Sequence, residues 1–201
     1  MFAVIFEVQP KSDRWDQYLD LAKLLRPELE QIKGFIDNER FRSRRTEGRL
    51  LSLSIWADEK AVVRWRTHAM HHGVQEKGRF EVFEDYHLRV GEVTADTQAP
   101  FGGHLEQQRF DATEVGAAKV ISICEGDVVP EPPSVGVHDA ELYESITEPG
   151  KLLRLVSWRD AAAAEAWHPG SVRHRRIVVI RDYGMADRRE APQYYPDVGG
   201  H

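Results

Sequence analysis

The sequence predicts an α+β fold made of two tandem copies of one β-α-β-β-α-β unit, with the second copy lacking its first helix. Three observations predict it. The stretch Gly48 to Trp65, GRLLSLSIWADEKAVVRW, returns from Gly150 to Trp167 as GKLLRLVSWRDAAAAEAW. One constant offset, with no gap, pairs Gly48 with Gly150, Leu50 with Leu152, Trp56 with Trp158, Asp58 with Asp160 and Trp65 with Trp167, and upstream it pairs Glu39, Phe41 and Ser43 with Glu141, Tyr143 and Ser145. Tryptophan is rare, so chance explains such a match poorly. Second, the apolar pattern along the first half switches between strand and helix periods in the stated order. Third, the place of the missing helix is held by GDVVPEPPSVG (126–136), whose three prolines cannot form a helix.

Phe2 to Val8 is apolar, rich in β-formers and bounded by Pro10, so it reads as a strand. Ser12 or Asp13 is placed to cap a helix carrying Trp15, Tyr18, Leu21 or Ala22, Leu25, Leu29 and Ile32, with Gly34 as its stop. Pro27 is expected to kink or split that helix near Leu25. Phe35 to Arg45 is a second strand, with Asp37, Glu39, Phe41 and Ser43 on one face and Ile36, Asn38, Arg40 and Arg42 on the other. The turn Thr46-Glu47-Gly48 joins it to strand three, Arg49 to Trp56. Asp58 caps a second helix on which Ala61, Trp65, His68 and His72 share a face. Phe80 to Val93 is the fourth strand. This is the ferredoxin-like order, whose antiparallel sheet carries both helices on one face and leaves the other to a partner. Residues 1–93 are thus one unit, 94–116 a linker, 117–184 a degenerate second unit and 185–201 a tail. In the second unit, strands are expected at 117–124, 137–146, 151–158 and 175–183, with a helix from Asp160. The tail is polar and is either disordered or laid across the barrel.

Composition narrows the function. A net charge of −6 argues against general nucleic-acid binding. A single cysteine, Cys124, forbids an intrachain disulfide and fits a reducing compartment. The N-terminus lacks a basic n-region and turns polar after eight residues, so it reads as neither signal peptide nor membrane span. A cytoplasmic protein is the expectation, with a small molecule as its partner. GxGxxG after a strand, a P-loop, CxxC and GxSxG are all missing, which speaks against a self-contained flavin or nicotinamide enzyme.

The run LLSLSIWADEKAVVRW, followed by His72, Gln75, Gly78-Arg79, Phe83-Glu84-Asp85-Tyr86 and Leu88-Arg89-Val90, resembles the antibiotic biosynthesis monooxygenase (ABM) family of dimeric α/β-barrel proteins. The upstream run YLDLAKLLRPELEQIKGFIDNERF fits too. The resemblance covers 2–93 well and 117–183 more weakly, through the repeat and Asp182-Tyr183. It implies that sheets pack face to face into a barrel. With two units fused, one chain forms a pseudo-dimer, and a homo-oligomer is not required. It also implies a cofactor-independent oxygenation of an electron-rich aromatic or polyketide-like molecule. Haem-degrading enzymes share the family. They carry an asparagine on strand one and a histidine about one turn beyond His71; here strand one has no asparagine and the equivalent helix position is nearer Gln75, which lowers that alternative. Were haem bound, His71, His72 or His174 would be the axial ligand. A non-catalytic binding or stress-response protein is a further alternative.

Candidate site residues follow. His68 or His72 would be base or hydrogen-bond donor, against the plain reading of a solvated helix end. Their spacing of four also suits a metal, but no HExxH is present, and no metal is expected. Arg40 and Arg42 would hold an anion if their face points into the barrel. Arg44, Arg45 and Arg49 read at least as well as a solvated edge. Trp56 and Trp65 recur in both copies, which favours core anchors, although Trp65 would also line a pocket. Arg79 and Tyr86 match family positions near the pocket, and the plain reading of Tyr86 is a core tyrosine with a satisfied hydroxyl.

Overall fold

In chain order the elements are β1 (Phe2–Pro10), α1 (Trp15–Gln31), β2 (Phe35–Ser43), β3 (Leu50–Trp56), α2 (Glu59–Thr67), α3 (Ala69–Lys77), a π-helical turn (Gly78–Val82), β4 (Phe83–Asp96), β5 (Val120–Gly126), β6 (Val137–Ser145), β7 (Leu152–Trp158), α4 (Ala161–Ala166) and β8 (Arg173–Gly184). They come from a computed structural model that describes residues 1–100 and 105–192. Each half is an antiparallel sheet, in the order β4-β1-β3-β2 and then β8-β5-β7-β6. Joined through β2–β6 and β4–β8, they close into one eight-stranded barrel. Residues 127–136 hold no helix, so the second unit lacks its first one.

Alternation along the strands decides what lies inside. Ala3, Ile5, Phe41, Leu51, Ile123 and Leu153 interdigitate with their neighbours in a packed interior core. The opposite face of each sheet is covered from outside. In the first half α1 lays Tyr18, Ala22, Leu25 and Leu29 on it. In the second half Val129 and Trp167 join Trp158 and Cys124 there. Gly34 and Gly136 are matched devices. Both have positive φ, +94° and +80°, and a Cβ on either would lie 2.7 Å or 2.3 Å from the Cβ of Ala61 or Ala163. Each therefore lets its strand entry pass close under a helix whose cap is also repeated. Asp58 accepts from the Ala61 amide and Asp160 from the Ala163 amide, each at 2.8 Å. Trp56 and Trp158 are fully buried, and their indole N–H groups donate to Ser54 and Ser122 at 2.9 and 3.0 Å.

Several expectations need correction. Helix α1 runs unbroken through Pro27, because its buried face holds it although Pro27 supplies no N–H donor. Its N-cap is Arg14, without a side-chain cap, rather than Ser12 or Asp13. The second helix stops at His68, where ψ turns to +126°, and α3 begins at Ala69, so His68 and His72 do not share one continuous helix. The fourth strand starts at Phe83 because the π-helical turn packs Gly78 against the Phe83 ring. It extends to Asp96 because β8 offers partners that far. The face of β2 that carries Arg40 and Arg42 points outward; Phe41 points in.

At the helix break, Trp65 and His71 stack with ring centroids 4.1 Å apart, and His71 Nδ1 lies 2.9 Å from the Trp65 carbonyl. Burial pushes the His71 pKa down to about 4. The folded value lies below the unfolded 6.5, so the unfolded chain binds the extra proton, and stability is lost as pH falls through that window. The loss at pH 4 relative to pH 7 should reach about 3 kcal/mol. Urea titrations across that range should show a shallower slope in His71→Gln; an unchanged slope would exclude this residue as the source. Trp56→Ala and Trp158→Ala should each cost about 3–5 kcal/mol by the same titration at neutral pH.

Candidate functional site

Because the barrel interior is filled with aliphatic side chains, charged residues that point inward gather where it opens. Glu7 on β1 and Arg89 on β4 both point in at one mouth and pair with one another, buried. Arg89 also donates to the Ser157 hydroxyl at 2.8 Å, and Tyr143 donates its phenol to Glu7 at 2.6 Å. Burial raises the Glu7 pKa, but the Arg89 guanidinium, the Tyr143 hydroxyl and His87 outweigh it, so the carboxyl is held below its ordinary value. The Tyr143 phenol is pushed well above its ordinary value by burial and by Glu7, so it stays a donor.

His87 completes the cluster. It lies two residues before Arg89 and so on the same face of β4. Its Nε2 lies 2.6 Å from Asp182 Oδ1 and its Nδ1 lies 3.7 Å from Glu7 Oε2. The side chain is 45% exposed, so this imidazole remains reachable. A cavity of about 500 Å³ opens over it, lined also by Arg49, Arg89, His138, Ser157, Tyr86 and Tyr183. The volume suits a small organic ligand. The stretch after β8 forms one wall with Met185, Ala186 and Asp187. Glu190 pins that stretch by accepting from Thr113 Oγ1 at 2.6 Å and from the Asp182 amide at 2.7 Å. The described part of the tail thus crosses the mouth; residues 193–201 lie outside the described residues.

The opposite mouth is the pseudo-symmetric mate. Strand registers match Glu7 with Glu125, Arg89 with Arg175, and Asp182 with Asp96. Arg175 pairs with Glu125, as Arg89 does with Glu7. The reactive groups do not repeat. The counterpart of His87 is Arg173, locked on Asp96 at 2.9 Å. Those of Tyr143, Ser157 and His138 are Phe41, Ile55 and Ile36. The cavity there is smaller, about 300 Å³, and is lined in part by Ile36 and Ile55. Among the described residues, a reachable imidazole and hydroxyls line the first mouth and not the second.

The residues singled out from sequence fall in separate places. Tyr86 lines the His87 cavity, and its hydroxyl accepts from Arg188. Trp65 stacks between His68 and His71 on the helix side. His68 Nε2 lies 3.5 Å from Glu28, and its Nδ1 is buried without a hydrogen-bond partner among the described residues. His72 lies 3.7 Å from Glu76. Arg40 packs beside Tyr18 on the outer face, Arg42 is exposed, and Arg79 lies 5.5 Å over the Phe80 ring. Glu7, His87, Arg89, Tyr143 and Asp182 were missed. For Glu7 and Arg89 the signal was a charge inside an otherwise apolar strand; their match to Glu125 and Arg175 appears only in the sheet register.

Comparison with known proteins converges with this architecture. The family profile described as "Antibiotic biosynthesis monooxygenase" matches residues 1–77. A protein of Pyricularia oryzae named "Jasmonate monooxygenase ABM" is 43% identical over 215 residues, spanning 98% of this chain and 99% of that protein. The uncharacterized protein YqjZ of Bacillus subtilis is 33% identical over 92 residues, covering 46% of this chain and 78% of its own. Among solved structures, an aldoxime dehydratase superposes with a TM-score of 0.56 at 11% identity, covering 95% of this chain and 88% of its own. A second aldoxime dehydratase, in complex with butyraldoxime, gives 0.57 at 11%, covering 92% and 80%. These two share the fold alone. The 43% identity to the Pyricularia oryzae protein along virtually the entire length settles the affiliation: the chain belongs to the antibiotic biosynthesis monooxygenase family.

Proposed function

We propose that the chain is a monooxygenase that oxygenates a small organic molecule in the His87 cavity and needs no cofactor of its own. The observation that carries the class is the end-to-end similarity to a protein named for jasmonate monooxygenation. Supporting the place is the contrast between the two mouths, since among the described residues the His87 cavity has an imidazole and hydroxyls in its lining and the other cavity has neither.

Asp182 orients the imidazole through Nε2, which leaves Nδ1 to take a proton from an acidic C–H or O–H of the substrate. The resulting anion is electron-rich enough to pass electrons to oxygen, with developing negative charge met by the Arg49 and Arg89 guanidinium groups of the lining. Electron balance limits the substrate. Converting a methylene to a carbonyl, R₂CH₂ + O₂ → R₂C=O + H₂O, consumes both oxygen atoms with no outside reductant. Hydroxylating a single C–H leaves two electrons to be supplied. Cofactor independence therefore pairs with an activated methylene or a phenol, as in anthrone-type polyketides. Jasmonate, the compound named for the relative, carries a ketone-activated methylene and a carboxylate.

Haem fits poorly with the residues considered for it. His71 gives its ring to Trp65 and its Nδ1 to a backbone carbonyl, while His174 is buried against Trp167. None of His71, His72 and His174 lines the His87 cavity. No step is routed through haem.

Oxygen-electrode traces with an anthrone and with jasmonate, each with and without added reductant, test the proposal. Uptake without reductant is expected for at least one of them. Binding without uptake under all conditions would instead mark a non-catalytic binding protein. His87→Gln should lower kcat by about 10²–10³-fold. Asp182→Asn should lower it by about tenfold or more through loss of orientation. A comparable loss in His72→Ala with His87→Gln still active would return the site to the helix side.

A further inference from the structure

The cations around the His87 mouth are committed, with one exception. Arg89 is taken by Glu7 and Ser157. Arg45 forms a fork on Asp139, at 2.7 and 2.9 Å, and also donates to Glu141. Arg188 donates to the Tyr86 hydroxyl and stands 5.7 Å over the Tyr183 ring. Arg189 is held by Asp187. Arg49 lines the same cavity, and its closest carboxylate, Glu141, is 3.9 Å away. That carboxylate already accepts from Arg45 through Oε2 and from Ser43 through Oε1. Among the described residues no side-chain hydrogen bond satisfies the Arg49 guanidinium, although the group is only 31% exposed.

The pseudo-symmetric position shows what a structural cation looks like there. Lys151, the counterpart of Arg49, is bound to Glu39 and lies 3.4 Å from Glu148 and 3.6 Å from Glu125. The difference has a local cause. Arg45 occupies Glu141, whereas its counterpart in the other copy is the uncharged Thr147, which leaves Glu39 to Lys151. In the first mouth one arginine therefore does the structural pairing and frees the other. Arg49 lines the same cavity as Glu7 and His87. Three of the five acidic residues of the lining, Glu7, Asp139 and Asp187, each already have an arginine partner, which lessens their repulsion of an incoming anion.

We propose that Arg49 is the anchor for a carboxylate on the substrate, gripping it through two parallel N–H donors so that the remainder of the molecule lies against His87. The assignment rests on the monooxygenase reading for what happens next, but not for the binding itself. It names a class: small organic acids, bound as anions.

The test compares the acid used in the activity assay with its methyl ester, which keeps size and shape and removes the charge. By titration calorimetry on the full chain the acid should bind about 10- to 100-fold more tightly than the ester. Arg49→Gln should abolish that preference, and Arg49→Lys should retain part of it, which also controls for a variant that fails to fold. Equal affinity for acid and ester in the unaltered protein, or a preference that survives in Arg49→Gln, overturns the anchor. Oxygen uptake measured alongside separates the two readings. Acid preference without uptake sinks the oxygenase and keeps the anchor; uptake without acid preference does the reverse.

Discussion

A four-stranded antiparallel sheet with cover on one side has a second apolar face that water cannot be allowed to reach. In this chain the answer is to press two such faces together and sew them at both seams, β2 to β6 and β4 to β8. Most of what is distinctive follows from that closure. Filling the barrel with Ile5, Phe41, Leu51, Ile123 and Leu153 leaves no room for a ligand in the middle. Polar residues on inward positions are forced to the rims, and burial there obliges them to pair. The Glu7–Arg89 and Glu125–Arg175 pairs meet that obligation at opposite ends.

Pairing of this kind does not by itself make an active site. The second mouth shows the arrangement stripped to its structural minimum, with Arg173 permanently salted to Asp96 and hydrocarbon where the first mouth has hydroxyl and imidazole. Matched positions serve as an internal control. What the two ends share is compatible with closing the barrel alone, and what only one retains points to chemistry.

The repeat around Gly48 was legible because no insertion separates its parts in either copy, so strand, cap and tryptophans stay in step. Two tandem units, the lost helix and the Asp58 and Asp160 caps all followed from it. Beyond that block the spacing between copies changes. Glu7 with Glu125 and Arg89 with Arg175 are aligned by sheet register, which the linear sequence does not display. Periodicity also assigned His68 and His72 to one face, since a helix break made by a single backbone torsion leaves no mark in an apolar pattern. The orientation of β2 was undetermined for a similar reason. Both of its faces carry charge, and only closure against β6 shows that Phe41 and Glu39 turn inward while Arg40 and Arg42 turn away.

The seams have an origin in time as well as in space. The β2–β6 ladder spans only Phe41 to Ser43, whereas β4–β8 runs from His87 to Asp96, and each seam joins strands from opposite halves. A ribosome delivers the first unit complete before β6 and β8 exist. For that interval β2 and β4 are bare edges flanking an uncovered apolar sheet, the condition that invites exchange with a neighbouring chain. Keeping both copies on one polypeptide holds the correct partner at high local concentration and makes intrachain closure the faster outcome. Tethering thus protects a nascent barrel from its own symmetry.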